Sequence, residues 1–193
     1  MKIQVSDRKR GFTLVELLVV ISIIAVLAAA GFAAGTAAVQ KARKTTALAV
    51  CVGLESAVNS FYTEYGMMPM EGSAETKVST DTEVDVIEVL LGLDSGEDLN
   101  TRGIKFLNVK QGKASKNGVI YSGDTGTSVE GLYDPWGGGY GLVLDLDYDE
   151  QVTTQRKAGS NTTLHGRRVV AWSDGADAAE GGTGKSADDV ITW

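Results

Sequence analysis

The sequence is poor in the residues that most often build disulfides and metal sites. Its 193 residues include one cysteine, Cys51, and one histidine, His165. A single cysteine excludes a disulfide within the chain and a cysteine-ligated metal cluster, and we interpret Cys51 as a small apolar residue of a packed helix. His165 has no second histidine with which to complete a metal site, so we expect it on the surface.

The sequence is acidic over most of its length. It also lacks the motifs of common enzymes. Its formal net charge is −7, and the acidic excess lies after residue 54. Because phosphate binding needs clustered lysine and arginine, we expect no nucleic-acid partner. There is no Gly-x-x-x-x-Gly-Lys-Ser/Thr phosphate loop, and no nucleophile beside a base is recognisable. The sequence therefore predicts a protein that is not an enzyme.

The N-terminal region contains an apolar run with almost no charge. From Thr13 to Ala34 the only charged residue is Glu16. At ~1.5 Å per residue the run is long enough to cross the ~30 Å hydrocarbon core of a bilayer. It is too long for a signal peptide, and no small-x-small cleavage site closes it. Basic residues before it favour a cytoplasmic N-terminus, although a second basic cluster at residues 41–44 opposes this orientation.

The residues in front of this run form a motif, Arg8-Lys9-Arg10-Gly11-Phe12-Thr13-Leu14-Val15-Glu16. It resembles the processing site of type IV prepilins and type II secretion pseudopilins. In that family a membrane peptidase cuts after the glycine and methylates the new N-terminal residue. The resemblance implies cleavage between Gly11 and Phe12 and N-methylation of Phe12. Glu16 then becomes the fifth residue of the processed chain, the position at which the family has a glutamate.

The carboxylate of Glu16 needs a partner, since a charge buried in lipid costs several kcal/mol unless it is paired. Cleavage would create a cationic amine at Phe12, about one helical turn away. The resemblance implies that Glu16 of an incoming subunit pairs with the N-terminal amine of its neighbour during assembly. Pairing within one chain, favoured by the helix dipole, is the alternative, and both pairings are compatible with the sequence.

A pair of glycines takes the place of a feature common in this family. Many relatives have a proline about twenty residues into the mature helix, where this chain has Ala33. Gly31 and Gly35 lie four residues apart and permit close helix approach. Each glycine also weakens a helix by ~1 kcal/mol relative to alanine. We expect residues 31–35 to be the point at which the helix softens in a filament.

A stripe of apolar residues continues the helix beyond the membrane-spanning run. Its spacing of three and four residues indicates one face of an amphipathic helix. We predict a single helix from about Thr13 to Tyr65, ended by Gly66 and by Pro69 beyond it. The stripe comprises Ala47, Val50, Leu54, Ala57, Val58, Phe61 and Tyr65. The predicted divisions are a cleaved leader (1–11), a transmembrane and assembly helix (12–35), its amphipathic second half (36–66) and a periplasmic domain (67–193).

The middle of the chain gives only local predictions. We expect a loop over 72–81, a short helix that ends at Gly92, and a strand at 119–121. An extended piece at 104–109, a mobile polar segment at 110–117 and a turn-rich break at 123–128 complete this region. None of these segments has recognisable chemistry.

A specific pattern returns at Tyr133-Asp134-Pro135-Trp136-Gly137-Gly138-Gly139. Asp-Pro opens a turn, the tryptophan anchors it, and the glycines permit positive φ before a strand at 140–144. A second strand, 167–172, is its predicted antiparallel partner across a polar connection at 153–166. The pattern resembles the C-terminal sheet of the major pseudopilins. The implied fold class is α+β, a pilin fold in which a long helix packs on a small antiparallel C-terminal sheet with a Gly/Asp-rich terminal loop.

The C-terminal tail is too rich in glycine for a long helix or a stable strand, so another interaction must hold it. Its pattern, Ser-x-Gly-x-Asp, Gly-Gly-x-Gly, Asp-Asp and a final tryptophan, is similar to the calcium loop of the major pseudopilins. Ca²⁺ prefers six to eight oxygen ligands. The resemblance implies Asp177, Asp188 and Asp189 as side-chain ligands of Ca²⁺, with Asp174 and a carbonyl near Ser173 in addition. A solvated acidic loop without an ion is the alternative.

A second aspartate-rich segment lies at 145–150. An EF-hand starting at Asp145 would need glycine after Asp149 and a bidentate glutamate at its twelfth position. The sequence has Glu150 and Arg156 at those positions. We therefore predict alternating aspartates on one face of a hairpin and no ion.

Two functions fit this sequence. One is the major pseudopilin of a type II secretion system, a filament subunit that polymerises from the inner membrane to drive protein export. The other is the pilin of a type IV pilus, used in attachment, motility or DNA uptake. Surface pilins commonly close the C-terminal region with a disulfide, which a single cysteine forbids, so we favour the pseudopilin. Its implied partners are further copies of itself, the prepilin peptidase, the inner-membrane assembly platform and minor pseudopilins.

Overall fold

The computed structural model describes residues 12–93, 99–123, 126, 128–157, 160–179 and 188–193. The chain divides into two compact units, Met1–Lys41 and Ala42–Trp193. The first contains the apolar run, and the second contains the sheets and nearly all of the buried side chains.

The long N-terminal helix, α1, extends over Leu14–Tyr65, as predicted. It begins after Thr13, whose hydroxyl accepts the N–H of Glu16 at 3.2 Å. It ends at Gly66, which has a φ of +71° and donates its N–H to the carbonyl of Tyr62 at 2.8 Å. Glycine reaches this left-handed conformation without the steric cost of a side chain, so it is a favourable stop signal.

The described residues of the first unit have exposed apolar side chains. One helical segment is long and apolar enough to cross a membrane. Its leucines and isoleucines are more than half exposed, for example Leu14, Leu18, Ile24 and Leu27. A continuous apolar surface of this kind indicates a lipid or protein environment around the helix, which fits the predicted membrane anchor.

The core of the second unit lies between α1 and a four-stranded sheet. Its strands are β1 (Thr76–Ser79), β4 (Tyr140–Leu144), β7 (Val169–Ser173) and β8 (Val190–Ile191), hydrogen-bonded in the order β1-β4-β7-β8 with every pair antiparallel. The predicted helix stripe is largely buried. Ala47, Leu54, Val58 and Phe61 have no exposed surface, and Cys51 lies buried among them. The predicted pairing of β4 with β7 is confirmed, with Leu142 opposite Ala171.

Three smaller elements complete the fold. Helix α2 (Asp85–Leu91) ends at Gly92, as predicted, where φ is +73°. Strands β2 (Gly118–Ser122) and β3 (Ser128–Tyr133) form one antiparallel pair. Strands β5 (Gln151–Lys157) and β6 (Ser160–His165) form another, and His165 is exposed at its end.

The structure corrects several local predictions. The predicted loop at 72–81 contains β1, because Val78 is buried opposite Leu142 of β4. The polar connection at 153–166 is the β5–β6 hairpin, in which the hydroxyls of Thr153 and Thr163 meet across the strands at 3.2 Å. Cross-strand pairs stabilise such ribbons even without an apolar pattern.

Further corrections concern segments with less obvious patterns. β3 was not predicted, and its Val129 and Leu132 are buried. The tail does form a strand at Val190–Ile191, too short to be recognised. Residues 145–150 lie outside the hairpin strands, so the predicted alternation on a strand face is wrong.

Candidate assembly and cation sites

Glu16, the predicted assembly residue, is held by a capping box at the start of α1. Its Oε2 accepts hydrogen bonds from the N–H of Thr13 at 2.9 Å and from the Thr13 hydroxyl at 2.8 Å. This reciprocal arrangement satisfies N–H groups that have no partner within the helix. The carboxylate therefore lies beside the N–H of Thr13, the residue that follows Phe12, at which cleavage would create an amine.

The predicted cleavage bond lies at the edge of the described residues. Phe12, the residue after this bond, is 74% exposed. Gly11, on the other side of the bond, lies outside the described residues.

The predicted soft point lies within a continuous helix in the single chain. An added Cβ at Gly31 or Gly35 would meet no atom within 4 Å. Both glycines line a shallow depression of about 580 Å³ together with Ala28, Phe32, Thr36, Val39 and Gln40. The two glycines therefore pack closely against none of the residues that the structure describes, and softening in a filament remains a prediction.

The predicted cation ligands Asp177, Asp188 and Asp189 lie together. One carboxylate oxygen from each lies within 4.8 Å of the other two. Asp188 Oδ2 accepts the N–H of Ala176 at 2.5 Å, and Asp177 Oδ1 accepts that of Ala179 at 3.0 Å. Asp188 Oδ1 is buried and has no hydrogen-bond partner among the described residues.

This geometry fits a hard divalent cation. A buried carboxylate oxygen without a hydrogen bond costs free energy, and three carboxylates at this separation repel one another. Ca²⁺ would offset both costs because it takes oxygen ligands in flexible geometry. The chemistry of the donor set and the unsatisfied oxygen of Asp188 thus agree with the predicted ion.

The sheet brings these carboxylates together from distant parts of the tail. Ser173, at the end of β7, pairs with Val190, at the start of β8. Residues that follow β7 therefore meet residues that precede β8. At the crossing, an added Cβ on Gly175 would lie 2.7 Å from both the carbonyl and Oδ2 of Asp188, and Gly175 has a φ of +75°. A glycine is therefore required there for two reasons.

The other two predicted ligands have different partners. Asp174 Oδ1 accepts the indole N–H of Trp172 at 3.0 Å. Ser173 is fully buried, and its hydroxyl donates to Asp134 Oδ2 at 2.6 Å. The structure thus groups three of the four predicted ligand side chains. The predicted glycine segment 181–184 lies outside the described residues.

Sequence reasoning missed Glu55. It lies outside the predicted apolar stripe of α1, yet only 14% of its side chain is exposed. Its carboxylate accepts hydrogen bonds from the Thr192 hydroxyl and from the N–H of Ala171 at 3.3 Å, and it forms an ion pair with Arg167 at 3.4 Å. Glu55 therefore ties α1 to β7 and to the chain after β8. Since its partners lie more than a hundred positions away, no local pattern identifies it.

A second acidic group lies at the turn after β4. Carboxylate oxygens of Asp145, Asp147 and Asp149 lie within 4.8 Å of one another. Asp145 is fully buried and accepts the N–H groups of Asp149 at 3.2 Å and Glu150 at 3.0 Å. Burial raises the pKa of Asp145, and a hydrogen bond with Asp147 raises it further. The hydrogen bonds of Asp145 stabilise a turn, and the turn accounts for the proximity of the three carboxylates.

Comparisons with known proteins agree with the N-terminal motif. A family model described as the prokaryotic N-terminal methylation motif matches residues 6–32. The fimbrial protein EcpC of Eikenella corrodens is 26% identical over 135 residues, which cover 66% of this chain and 88% of that protein. No solved structure matches the chain significantly.

Two relatives from Neisseria match over shorter stretches. The type IV major pilin protein PilE of Neisseria gonorrhoeae is 33% identical over 66 residues, 34% of this chain and 40% of that protein. A fimbrial protein of Neisseria meningitidis is 35% identical over 89 residues, 44% of this chain and 52% of that protein. The chain thus spans about half the length of these two relatives or less. The methylation motif, the long helix on antiparallel sheets and these similarities together support a relationship to the type IV pilin family.

Proposed function

We propose that this chain is the major pseudopilin of a type II secretion system. It would polymerise from the inner membrane into a short periplasmic filament that drives folded proteins out of the cell. The observation that carries the proposal is the convergence of Asp177, Asp188 and Asp189 in the C-terminal loop. The only cysteine, Cys51, is buried in α1, so a disulfide within the chain cannot close this loop.

Calcium is the proposed means of closing it. Ca²⁺ would be held by the three carboxylates and would connect the segment after β7 to the segment before β8. The buried Oδ1 of Asp188, which has no hydrogen-bond partner in the described part of the chain, supports this assignment. The cation would supply charge neutralisation and a crosslink that does not depend on redox conditions.

The N-terminal unit is the proposed assembly element. The N-terminal methylation motif supports processing by a prepilin peptidase and incorporation into a homopolymer. We propose residues 1–11 as the leader, 12–35 as the transmembrane helix, 36–66 as its amphipathic second half and 67–193 as the periplasmic domain. The N-terminus would remain in the cytoplasm, and the assembly platform and minor pseudopilins would be further partners.

A type IV pilin is the second candidate, and it is supported by the relatives that the chain resembles. PilE is a type IV major pilin protein, and the other two relatives are fimbrial proteins. Such a subunit would serve attachment, motility or DNA uptake.

A deletion strain separates the two functions. Proteins in the culture medium and filaments on the cell surface are compared before and after deletion, with the wild-type chain restored from a plasmid as the control. Loss of secreted proteins with normal surface filaments supports the pseudopilin. Loss of surface filaments with normal secretion overturns that proposal in favour of the pilin.

A further inference from the structure

A buried carboxylate on a separate turn lies behind the proposed cation loop. Asp134 follows β3 and is 1% exposed. Its Oδ1 accepts the N–H groups of Trp136 at 2.8 Å, Gly137 at 2.7 Å and Gly138 at 3.0 Å. These bonds shape the Asp-Pro-Trp-Gly turn and fix the orientation of the carboxylate. The remaining oxygen, Oδ2, accepts the hydroxyl of Ser173.

Ser173 transmits this constraint to the loop. While its hydroxyl donates to Asp134 at 2.6 Å, its Oγ accepts the N–H of Gly175 at 3.2 Å. The next N–H, that of Ala176, donates to Asp188 Oδ2 at 2.5 Å. Three hydrogen bonds and the backbone from Gly175 to Ala176 thus connect the buried Asp134 with Asp188. The other oxygen of Asp188, Oδ1, has no hydrogen-bond partner among the described residues.

We propose that Asp134 and Ser173 are positioning residues that shape the loop for the cation before it binds. This inference rests on the proposed cation site at Asp177, Asp188 and Asp189. Hydrogen bonds to an ionised carboxylate are stronger than neutral ones, so the Ser173 hydroxyl has one defined orientation. The N–H of Gly175 is then held in place by the Oγ of Ser173. This fixes the backbone conformation in which the N–H of Ala176 donates to Asp188 Oδ2.

Preorganisation explains why such a distant pair affects binding. A loop that is already ordered loses less conformational freedom when the ligand arrives. Removing a group that orients a metal ligand typically costs roughly 10- to 100-fold in metal affinity. Ser173 has no exposed surface, and its hydroxyl already serves as donor and acceptor. Its side chain therefore acts through other residues, not as a ligand.

The test is calcium binding by the full chain purified in detergent, measured by calorimetry alongside the melting temperature without calcium. Ser173→Ala should raise the Kd roughly 10- to 100-fold. Ser173→Thr, which keeps the hydroxyl, should restore most of the affinity. Ser173→Cys, with its weak donor, should fall between them and serves if the alanine variant does not fold.

A matched control separates positioning from general stability. Ser79→Ala also removes a hydroxyl–carboxylate hydrogen bond, that to Asp81 Oδ1 at 2.5 Å. It should lower the melting temperature and leave the calcium Kd unchanged. Wild-type affinity in Ser173→Ala, or in Ser173→Cys if it alone folds, overturns the inference and leaves the cation site in place. No calcium binding by the wild-type chain overturns the cation site itself and the inference with it.

Discussion

In the N-terminal part of α1 the apolar side chains are exposed, whereas around β7 and β8 several polar side chains are buried. Leu14 is 86% exposed, while Asp134 and Ser173 are almost completely enclosed. The apolar side chains described in the first region have few contacts within the chain. We therefore expect the stability of this region in the cell to depend on lipid and on other subunits. The second depends on hydrogen bonds within one chain. The two regions also differ in the role of their carboxylates. Glu16 is predicted to pair with another subunit, whereas Asp134 accepts hydrogen bonds from its own chain.

The largest expected effect is the loss of filament assembly after a substitution in the first region. Glu16→Ala should be inserted and processed yet should abolish most filament assembly, because the N-terminal amine loses its counter-charge. Assembly is measured as the amount of sheared filament per cell, and processing as the mass of the subunit.

Ser22→Ala is the matched control for that variant. It removes a polar side chain from the same run, whose hydroxyl only donates to the carbonyl of Val19. It should assemble normally. A normal yield of filaments from Glu16→Ala would contradict the assigned role of this carboxylate.

Two glycine-to-alanine substitutions test the difference between a closely packed site in the sheet and an open site on the helix. An added Cβ at Gly141 would lie 2.2 Å from ring atoms of the buried Trp172. Gly141→Ala should therefore destabilise the protein by about 1–3 kcal/mol or more. Gly53→Ala, in α1 with no atom within 4 Å, should stabilise it by about 0.5–1 kcal/mol. Chemical denaturation measures both values, and equal effects would contradict the described packing.

The third prediction tests the cation within the second region. Calcium at a hundred times its Kd should stabilise the wild-type chain by about 2.7 kcal/mol. Asp188→Ala should abolish the resulting rise in melting temperature. Asp147→Ala, in the acidic turn after β4, should keep it. A calcium response that survives in Asp188→Ala would exclude this residue as a ligand.

The smallest expected effect is a loss of stability when the polar contacts of Glu55, which join α1 to the sheet, are weakened. Glu55→Gln keeps the size of the side chain but removes the charge that faces Arg167 and Thr192. We expect a loss of about 1–2 kcal/mol, since hydrogen bonds to charged groups are stronger than neutral ones. Glu64→Gln, in an exposed pair with Arg102, should cost less than about 1 kcal/mol. Equal losses in denaturation experiments would show that Glu55 is no more than a surface charge.

Prediction from the sequence succeeded where the determining contacts are local. The helix from residue 14 to 65, its end at Gly66 and the end of α2 at Gly92 follow from side-chain periodicity and from glycines with positive φ. It failed for β1 and the β5–β6 hairpin, whose threonine-rich segments become strands through pairing. The proposed ligand set was only partly recoverable, because the resemblance identifies residue types in a loop and not the partners of Ser173 and Asp174.

By itself the sequence determined the processing motif, the apolar run with its single carboxylate and the continuous helix, since each depends on residues within a few turns of one another. Only the tertiary structure decided which aspartates meet and which polar groups are buried. The antiparallel register of Ser173 with Val190 brings Asp188 beside Gly175. The fold likewise places Glu55 against Ala171 and Thr192. Such contacts join residues far apart in the chain, and their energies depend on burial that no local pattern specifies.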